Sequence, residues 1–145
     1  MESRIRHAYD ASLALLAPNS AANTATFTST KVDINRIVNS VRGALNGKYG
    51  ERNFSVVFVV TALDHTTGDE TYSYAFTTWD ANGANPVTQR TEVFTTADIG
   101  AVYVYDFDTG SLANRDNDAA LFGFVATLAG TTPSVQGFSY VAPTA

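Results

Sequence analysis

The chain contains no cysteine, so neither disulfide bonds nor thiolate zinc ligands can contribute to its fold. It also lacks any apolar run long enough for a membrane-spanning helix. No signal-peptide core is visible near Met1, because the first residues are charged and the apolar run that follows residue 12 is short. We therefore expect a protein that acts without a membrane and without Sec export.

Charged residues are sparse, at 16% of the 145-residue chain, and they are unevenly distributed. Residues 1–52 carry seven basic and four acidic side chains, whereas residues 53–145 carry two basic and ten acidic ones. Because the basic side chains are dispersed along an acidic chain, nucleic acid is a poor candidate partner. The basic first third is either a docking region for an acidic partner or an ordinary solvated segment, and its composition favours neither.

The most apolar stretch of the sequence, residues 54–63, predicts a strand that is buried on both faces. A polar turn follows at residues 64–70. Residues 71–78 then alternate between aromatic and polar side chains, which predicts a strand with one aromatic face. Together these segments predict a long β-hairpin around which the rest of the domain packs.

Further strands separated by Gly, Asn and Asp turns are predicted at residues 25–31, 87–94, 101–107, 119–128 and 135–141. A single helix is predicted at residues 34–46 from its 3.6-residue apolar period, and a polar loop at residues 108–118. The predicted fold is all-β, a jelly-roll-like β-sandwich with an extended N-terminal arm and one short helix. Residues 1–23 form the predicted arm, and residues 24–145 form the single sandwich domain.

Five side chains near the predicted loop could supply oxygen ligands to calcium, namely Asp106, Asp108, Asp116, Asn117 and Asp118. Their spacing lacks the ligand order of an EF-hand loop. Aspartate and asparagine at strand ends are also ordinary turn formers. We therefore expect no metal site and no cofactor.

A histidine beside an aspartate, His65 and Asp64, is the strongest indication of catalysis in the sequence. A general base needs a nucleophile and an orienting partner within hydrogen-bond reach, and this pair falls on a predicted solvent-exposed turn. Neither a Gly-x-Ser-x-Gly elbow nor a glycine-rich phosphate loop is present. We expect the protein not to be an enzyme.

Three aromatic residues, Tyr72, Tyr74 and Trp79, could instead stack on a sugar ring, as in a carbohydrate-binding module. Tyrosines that alternate along a strand are more often part of a core or a subunit interface. The sequence favours the core and interface, and ligand stacking remains the alternative.

Several segments resemble the small jelly-roll cement, or decoration, proteins of tailed-phage capsids, the family typified by the Bordetella phage cement protein. The matching segments are Asp10-Ala11-Ser12, Ser20 to Thr26, Val32-Asp33-Ile34, Val57 to Asp64 with Thr67 to Tyr72, and Phe124 to Ser134. This resemblance implies a structural virion protein on the capsid exterior, made in the host cytoplasm. Such a protein stabilises the shell by bridging subunits of the major capsid protein, and the family has no catalytic residues.

We expect the protein to dock on a capsid through its arm, with Arg4 and Arg6 paired to surface carboxylates and Leu13, Leu15 and Leu16 inserted between subunits. We also expect a symmetric homodimer or homotrimer, at least on the capsid. The alternative function is a carbohydrate- or surface-binding β-sandwich of a tail or fibre, with Trp79 and its neighbouring tyrosines as the binding residues.

Overall fold

The computed structural model describes residues 11–40 and 53–143. Within these residues the strands are β1 (Ala14–Leu16), β2 (Phe27–Thr28), β3 (Val32–Asp33), β4 (Asn53–Leu63), β5 (Thr71–Trp79), β6 (Val87–Phe94), β7 (Val102–Asp108), β8 (Leu121–Ala129) and β9 (Val135–Pro143). The helices are α1 (Ile34–Ser40) and α2 (Thr109–Arg115), and short 3₁₀ turns lie at Ala11–Leu13 and Thr96–Asp98. Among the described residues, no helix is long and apolar enough to cross a membrane.

The strands form two antiparallel sheets that pack face to face. Sheet A has the order β1-β9-β4-β7, and sheet B has the order β2-β8-β5-β6, with β3 also paired to β8. This confirms the predicted all-β sandwich. Strand β4 lies in the interior of sheet A, and its residues from Phe54 to Val60 are all buried. The predicted strand over residues 54–63 is therefore confirmed as central and as buried on both faces over residues 54–60, whereas Thr61 and Ala62 are exposed and Leu63 is partly buried.

The core between the sheets consists largely of aromatic rings. The alternation along β5 puts Tyr74 and Phe76 on the inner face of sheet B, as the sequence predicts. From sheet A, the ring of Phe58 meets that of Tyr74 edge-on, with centroids 4.8 Å apart. Phe124 of β8 lies 5.5 Å from Phe58. Edge-to-face contacts of this kind add to the free energy gained by burying the rings.

The predicted hairpin between residues 54–63 and 71–78 is wrong. Strand β4 pairs with β7 and β9, whereas β5 pairs with β6 and β8, so residues 64–70 cross from one sheet to the other. In a hairpin, the large rings of both strands would lie side by side on one face. In the sandwich they face each other across the core, which buries both sets.

The predicted polar loop at residues 108–118 contains the helix α2, so the described residues hold two short helices rather than one. Asp108 caps α2, since its carboxylate accepts a hydrogen bond from the Gly110 amide at 2.9 Å. Leu112 anchors the helix against the core. Helix α1 begins at Ile34 as predicted, and the predicted extension over residues 41–46 lies outside the described residues.

Candidate docking surfaces

Part of the predicted N-terminal arm is built into the sandwich. Strand β1 pairs with β9, and Leu13 and Leu15 are each only 1% exposed in the core. Inserting these two leucines between partner subunits would require removing them from that core, so the predicted docking role is corrected for both. Arg4 and Arg6 lie outside the described residues.

Leu16 is only partly buried, and it lines an open groove of about 430 Å³ at the edge of the sandwich. We call this the edge groove; its walls are formed by Leu15–Ala17, residues 20–23 and residues 27–30. The Thr30 amide donates a hydrogen bond to the Leu15 carbonyl at 3.0 Å, which ties the two sides of the groove together.

The two tyrosines of the ligand-stacking alternative are core residues. Tyr72 and Tyr74 are buried, and the Tyr74 ring is surrounded by other aromatic rings. The Tyr72 hydroxyl donates to the Asp64 carbonyl at 2.5 Å and accepts from the Ser134 amide at 3.0 Å. Burial raises the pKa of the Tyr74 hydroxyl well above its usual range. Neither ring presents a face to a ligand, which corrects this part of the prediction.

The third residue of that alternative, Trp79, is also buried, at the end of β5. The Lys31 ammonium lies 4.4 Å from the centroid of its ring, in cation–π geometry. That ammonium also donates to the Gly83 carbonyl at 3.1 Å. A Cβ added at Gly123 would lie 3.3 Å from the indole, so β8 closes off the ring as well. A sugar has no free face of Trp79 on which to stack.

The aspartates of the calcium hypothesis stabilise local structure. The Ser55 hydroxyl donates to Asp106 at 2.6 Å, and Asp108 caps α2. Asp116 accepts from the Thr78 hydroxyl at 2.8 Å and from the Asp118 amide at 3.2 Å; the intervening residue, Asn117, is exposed. Within residues 11–40 and 53–143, no group of three or more His, Cys, Asp or Glu side chains is placed to hold a metal.

The histidine of the catalytic hypothesis lies beside a carboxylate that already has several donors. His65 Nδ1 is 3.7 Å from Glu70 Oε2, and the Glu70 side chain is fully buried. Glu70 accepts hydrogen bonds from the Gly68 amide at 3.0 Å and from the hydroxyls of Thr67 and Thr132. These bonds fix the connection between β4 and β5. Glu70 is a buried carboxyl side chain that the sequence analysis missed, although Thr67-Gly68-Asp69-Glu70 has the composition of a side-chain-bonded turn.

The outer face of sheet A is apolar, which the sequence analysis did not identify as a surface. Two rows of side chains cross it; we call them the valine face. One row is Val102, Val59 and Phe138, and the other is Val104, Val57 and Tyr140.

Exposure across the valine face rises toward its outer strand. Val57 and Val59 in the middle are 4% and 7% exposed, whereas Val104 and Val102 at the β7 edge are 44% and 64% exposed. The outer face of an antiparallel sheet is normally polar. An apolar face of this kind is typical of a protein interaction surface.

The described part of the chain therefore offers two surfaces to a partner, the edge groove beside β1 and the valine face at β7. They lie toward opposite edges of sheet A, since β1 and β7 are its outermost strands. No family model matches the chain, and neither the curated proteins nor the solved structures contain a match.

Proposed function

We propose that this protein is a structural virion protein that binds the outer surface of a phage capsid and bridges subunits of the major capsid protein. The observation that carries the proposal is the strand order. The sheet β1-β9-β4-β7 faces the sheet β2-β8-β5-β6, and among the described strands only β5 and β6 are consecutive strands paired with each other. This order supports an eight-stranded jelly roll with two Greek keys, an architecture common in viral capsid domains.

A fold does not by itself specify a function, so the proposal also needs a docking element. The edge groove supplies one, because it is open and is lined by Leu16, one of the leucines predicted to dock. Residues 1–52, which include Arg4 and Arg6, carry seven basic and four acidic side chains, whereas residues 53–145 carry two basic and ten acidic ones. A basic segment on an acidic body favours a partner whose surface is acidic near the groove.

Stabilisation of the shell follows from mass action. A protein that binds the assembled lattice but not free subunits shifts the equilibrium toward the assembled state, and the shift grows with the logarithm of its free concentration once that exceeds its dissociation constant. Bridging two subunits adds to this effect, because each subunit then holds the other through the bound protein. We expect the protein to be present on the particle exterior in a copy number that scales with that of the major capsid protein.

The three aromatic residues of the carbohydrate-binding alternative offer a sugar no ring face on which to stack. All three, Tyr72, Tyr74 and Trp79, are buried, and the ring of Trp79 is covered by Lys31.

The binding experiment compares wild-type protein with three variants on undecorated heads by sedimentation at low and high salt. The variants are Arg4→Ala with Arg6→Ala, Leu16→Ser, and Arg36→Ala, which removes an exposed arginine of α1 that does not line the groove. We expect the double arginine variant to bind more weakly at low salt and to match the wild type at high salt, since salt screens exposed charges. Leu16→Ser should weaken binding at both salts, and Arg36→Ala should bind as the wild type does.

Folding of each variant is checked by its melting temperature, because Leu16 also packs against the core. Equal binding by all variants at both salts would show that the groove is not the docking element. Quantitative mass spectrometry of purified particles provides the independent test of location. A copy number matching the tail proteins rather than the major capsid protein would contradict capsid decoration.

A further inference from the structure

The four edges of the two sheets differ in how they are protected against pairing with another strand. An exposed edge carries unpaired amides and carbonyls, and natural proteins protect such edges with short strands, bulges or inward-pointing charges. In sheet A, the edge strand β1 has only three residues, and its register shifts between Ala14 and Leu16. In sheet B, the edge strand β2 has only two residues. Strand β1 is short and irregular and β2 is shorter still, so neither edge offers a partner a regular strand.

The long edge strand of sheet B, β6, carries two other devices. Its pairing with β5 has a register shift between Phe76 and Thr77. Arg90 and Glu92 lie opposite Phe76 and Tyr74, so these two charged residues belong to the side of the sheet that faces the core. The Arg90 guanidinium lies 4.7 Å from the centroid of the Tyr105 ring. A strand added at this edge would have to cover these charges.

The remaining edge, β7, has none of these devices within the described residues. It pairs with β4 over seven consecutive residues without a register shift, and it contains no proline. Its inward-facing residues are aromatic, and its outward-facing residues at the start are Val102 and Val104. Charge appears only toward its end, at Asp106 and Asp108. Strand β7 is thus a regular, apolar and unprotected edge.

We propose that two copies of this chain pair through β7 as antiparallel strands, forming a two-fold symmetric dimer with one continuous eight-stranded sheet. The two-fold axis passes between the Tyr103 residues of the two copies, so that Val102 of each copy lies opposite Val104 of the other. This inference does not depend on capsid binding. Of the two oligomers that the sequence left open, the dimer and the trimer, this pairing produces the dimer. The β7 edge is its interface.

The register follows from the side chains. In the combined sheet, the valine faces of both copies must lie on the same side. An outward-facing residue of one β7 must therefore lie opposite an outward-facing residue of the other, so the allowed registers differ from one another by two residues. Pairing about Val104 would place Val102 opposite a carboxylate, Asp106, of the second copy. Pairing about Tyr103 instead places valine opposite valine over residues 102–104, and each Asp106 then lies beyond the paired segment, toward the turn at Gly100 of the other copy. The two Asp106 residues are then about 20 Å apart along the strands, at about 3.4 Å per residue.

Charge favours a second copy as the occupant of this edge. The chain has a net charge of −5, so most surfaces of two copies repel each other. The first half of β7 carries no charge, and a two-fold axis through it brings together two identical apolar strands. The surface is small, so the dimer should be weak and its population should depend on protein concentration.

The first experiment is sedimentation velocity over a concentration series, with two matched variants. Val102→Lys places a charge on the β7 edge, and Val93→Lys places the same charge at a valine of β6 that has the same exposure, 64%. We expect a monomer–dimer equilibrium for the wild type and for Val93→Lys. Val102→Lys should raise the dissociation constant of the dimer at least tenfold. A wild type that stays monomeric up to its solubility limit, a trimer, or equal weakening by both variants would overturn the proposal.

The second experiment tests the register, and it is possible because the chain has no native cysteine. Single variants Val102→Cys and Val104→Cys, one of them carrying a mass tag, are mixed and oxidised. Directly opposed residues are close enough for a disulfide, whereas the diagonal pairs Val102 to Val102 and Val104 to Val104 are about 8 Å apart. We expect the mixed disulfide to be the major product and Thr91→Cys, on β6, to give none. Same-variant disulfides as abundant as the mixed one would refute this register and the dimer built on it.

Discussion

Phe58 stacks on Phe94 across the sandwich, with ring centroids 4.9 Å apart and an interplanar angle of 6°. Phe58 lies in the middle of sheet A, and Phe94 lies on the edge strand of sheet B. The contact therefore ties an edge strand to the centre of the opposite sheet. Phe58 also touches Tyr74 and Phe124, so it links three strands of sheet B to β4.

We expect Phe58→Ala to lower the free energy of unfolding by about 3–5 kcal/mol, because it leaves a cavity between the sheets. In a double-mutant cycle with Phe94→Ala, the coupling energy should be about 0.5–1.5 kcal/mol, the contribution of a ring pair beyond buried area. Chemical denaturation measures both quantities. The control cycle pairs Phe94→Ala with Phe54→Ala, whose ring is about 13 Å from Phe58 along β4. The control should be additive, and equal coupling in both cycles would contradict a specific contact.

The outer side of β4 is as sensitive as its inner side. Val57 is 4% exposed although it points away from the core between the sheets. An aspartate there would be an unpaired buried charge, which costs about as much as the whole stability of a small domain. We expect Val57→Asp to prevent soluble folding. Val102→Asp, on the same face but at the exposed edge, should remain soluble with nearly unchanged melting temperature. Soluble, stable Val57→Asp protein would mean that this face is accessible to water.

Strand positions and faces were largely predictable from the sequence, because alternation along a strand reports directly which side is buried. The inner placement of Tyr72, Tyr74 and Phe76 followed from that period alone. The partner of each strand did not follow from it. A buried strand, a polar turn and an alternating strand fit a hairpin and an inter-sheet connection equally well, and the choice depends on β8 and β9, far away in the chain.

The candidate site was less predictable for the same reason. Leu13 and Leu15 look like an isolated apolar run in the sequence, and only pairing with β9, more than a hundred residues later, places them in the core. The valine face likewise requires knowing that β4, β7 and β9 are neighbours. Val102 and Val104 are two residues apart in a predicted strand and so share a face, but their position beside Val59 and Val57 depends on register. Which residues lie together in the core or on the valine face depends on the pairing of strands that are distant in the sequence, and local sequence patterns do not report that pairing.

Gly137 permits the close approach of β9 to β4. A Cβ at this position would lie 2.2 Å from the Val59 carbonyl oxygen, which is backbone and cannot rotate away. The site adjoins the register shift between Val60 and Ala62. We therefore expect Gly137→Ala to separate the strands locally and to lower the melting temperature strongly. Gly68→Ala is the control, since Gly68 has φ of +83° but open space around it. Gly68→Ala should lower the free energy of unfolding by only about 1–2 kcal/mol. Similar losses for Gly68→Ala and Gly137→Ala would contradict a steric clash at Gly137.

The loop after β4 and the loop after β8 are joined through one carboxylate, that of Asp69. It accepts hydrogen bonds from the Thr131 hydroxyl at 2.7 Å, from the Thr131 amide at 3.1 Å and from the Thr67 hydroxyl at 2.9 Å. These bonds, led by the one from the Thr131 hydroxyl, lower the pKa of Asp69 from 3.8 to about 2. The folded protein therefore holds this carboxylate in its charged form more strongly than the unfolded chain does.

This shift predicts an acid dependence of stability with a definite sign. The pKa of Asp69 is lower in the folded protein than in the unfolded chain. Its contribution to the free energy of unfolding is therefore fully present above pH 3.8 and is lost as the pH falls to about 2. We expect the melting temperature of the wild type to fall across this range more steeply than that of Asp69→Asn. Thr131→Val, which keeps the carboxylate but removes its main donor, should flatten the curve in the same way. Asp64, Asp80 and Asp98, whose pKa values are also lowered, should supply the slope that remains in both variants. Superimposable curves for the wild type and Asp69→Asn would show that the link between the two loops does not stabilise the fold.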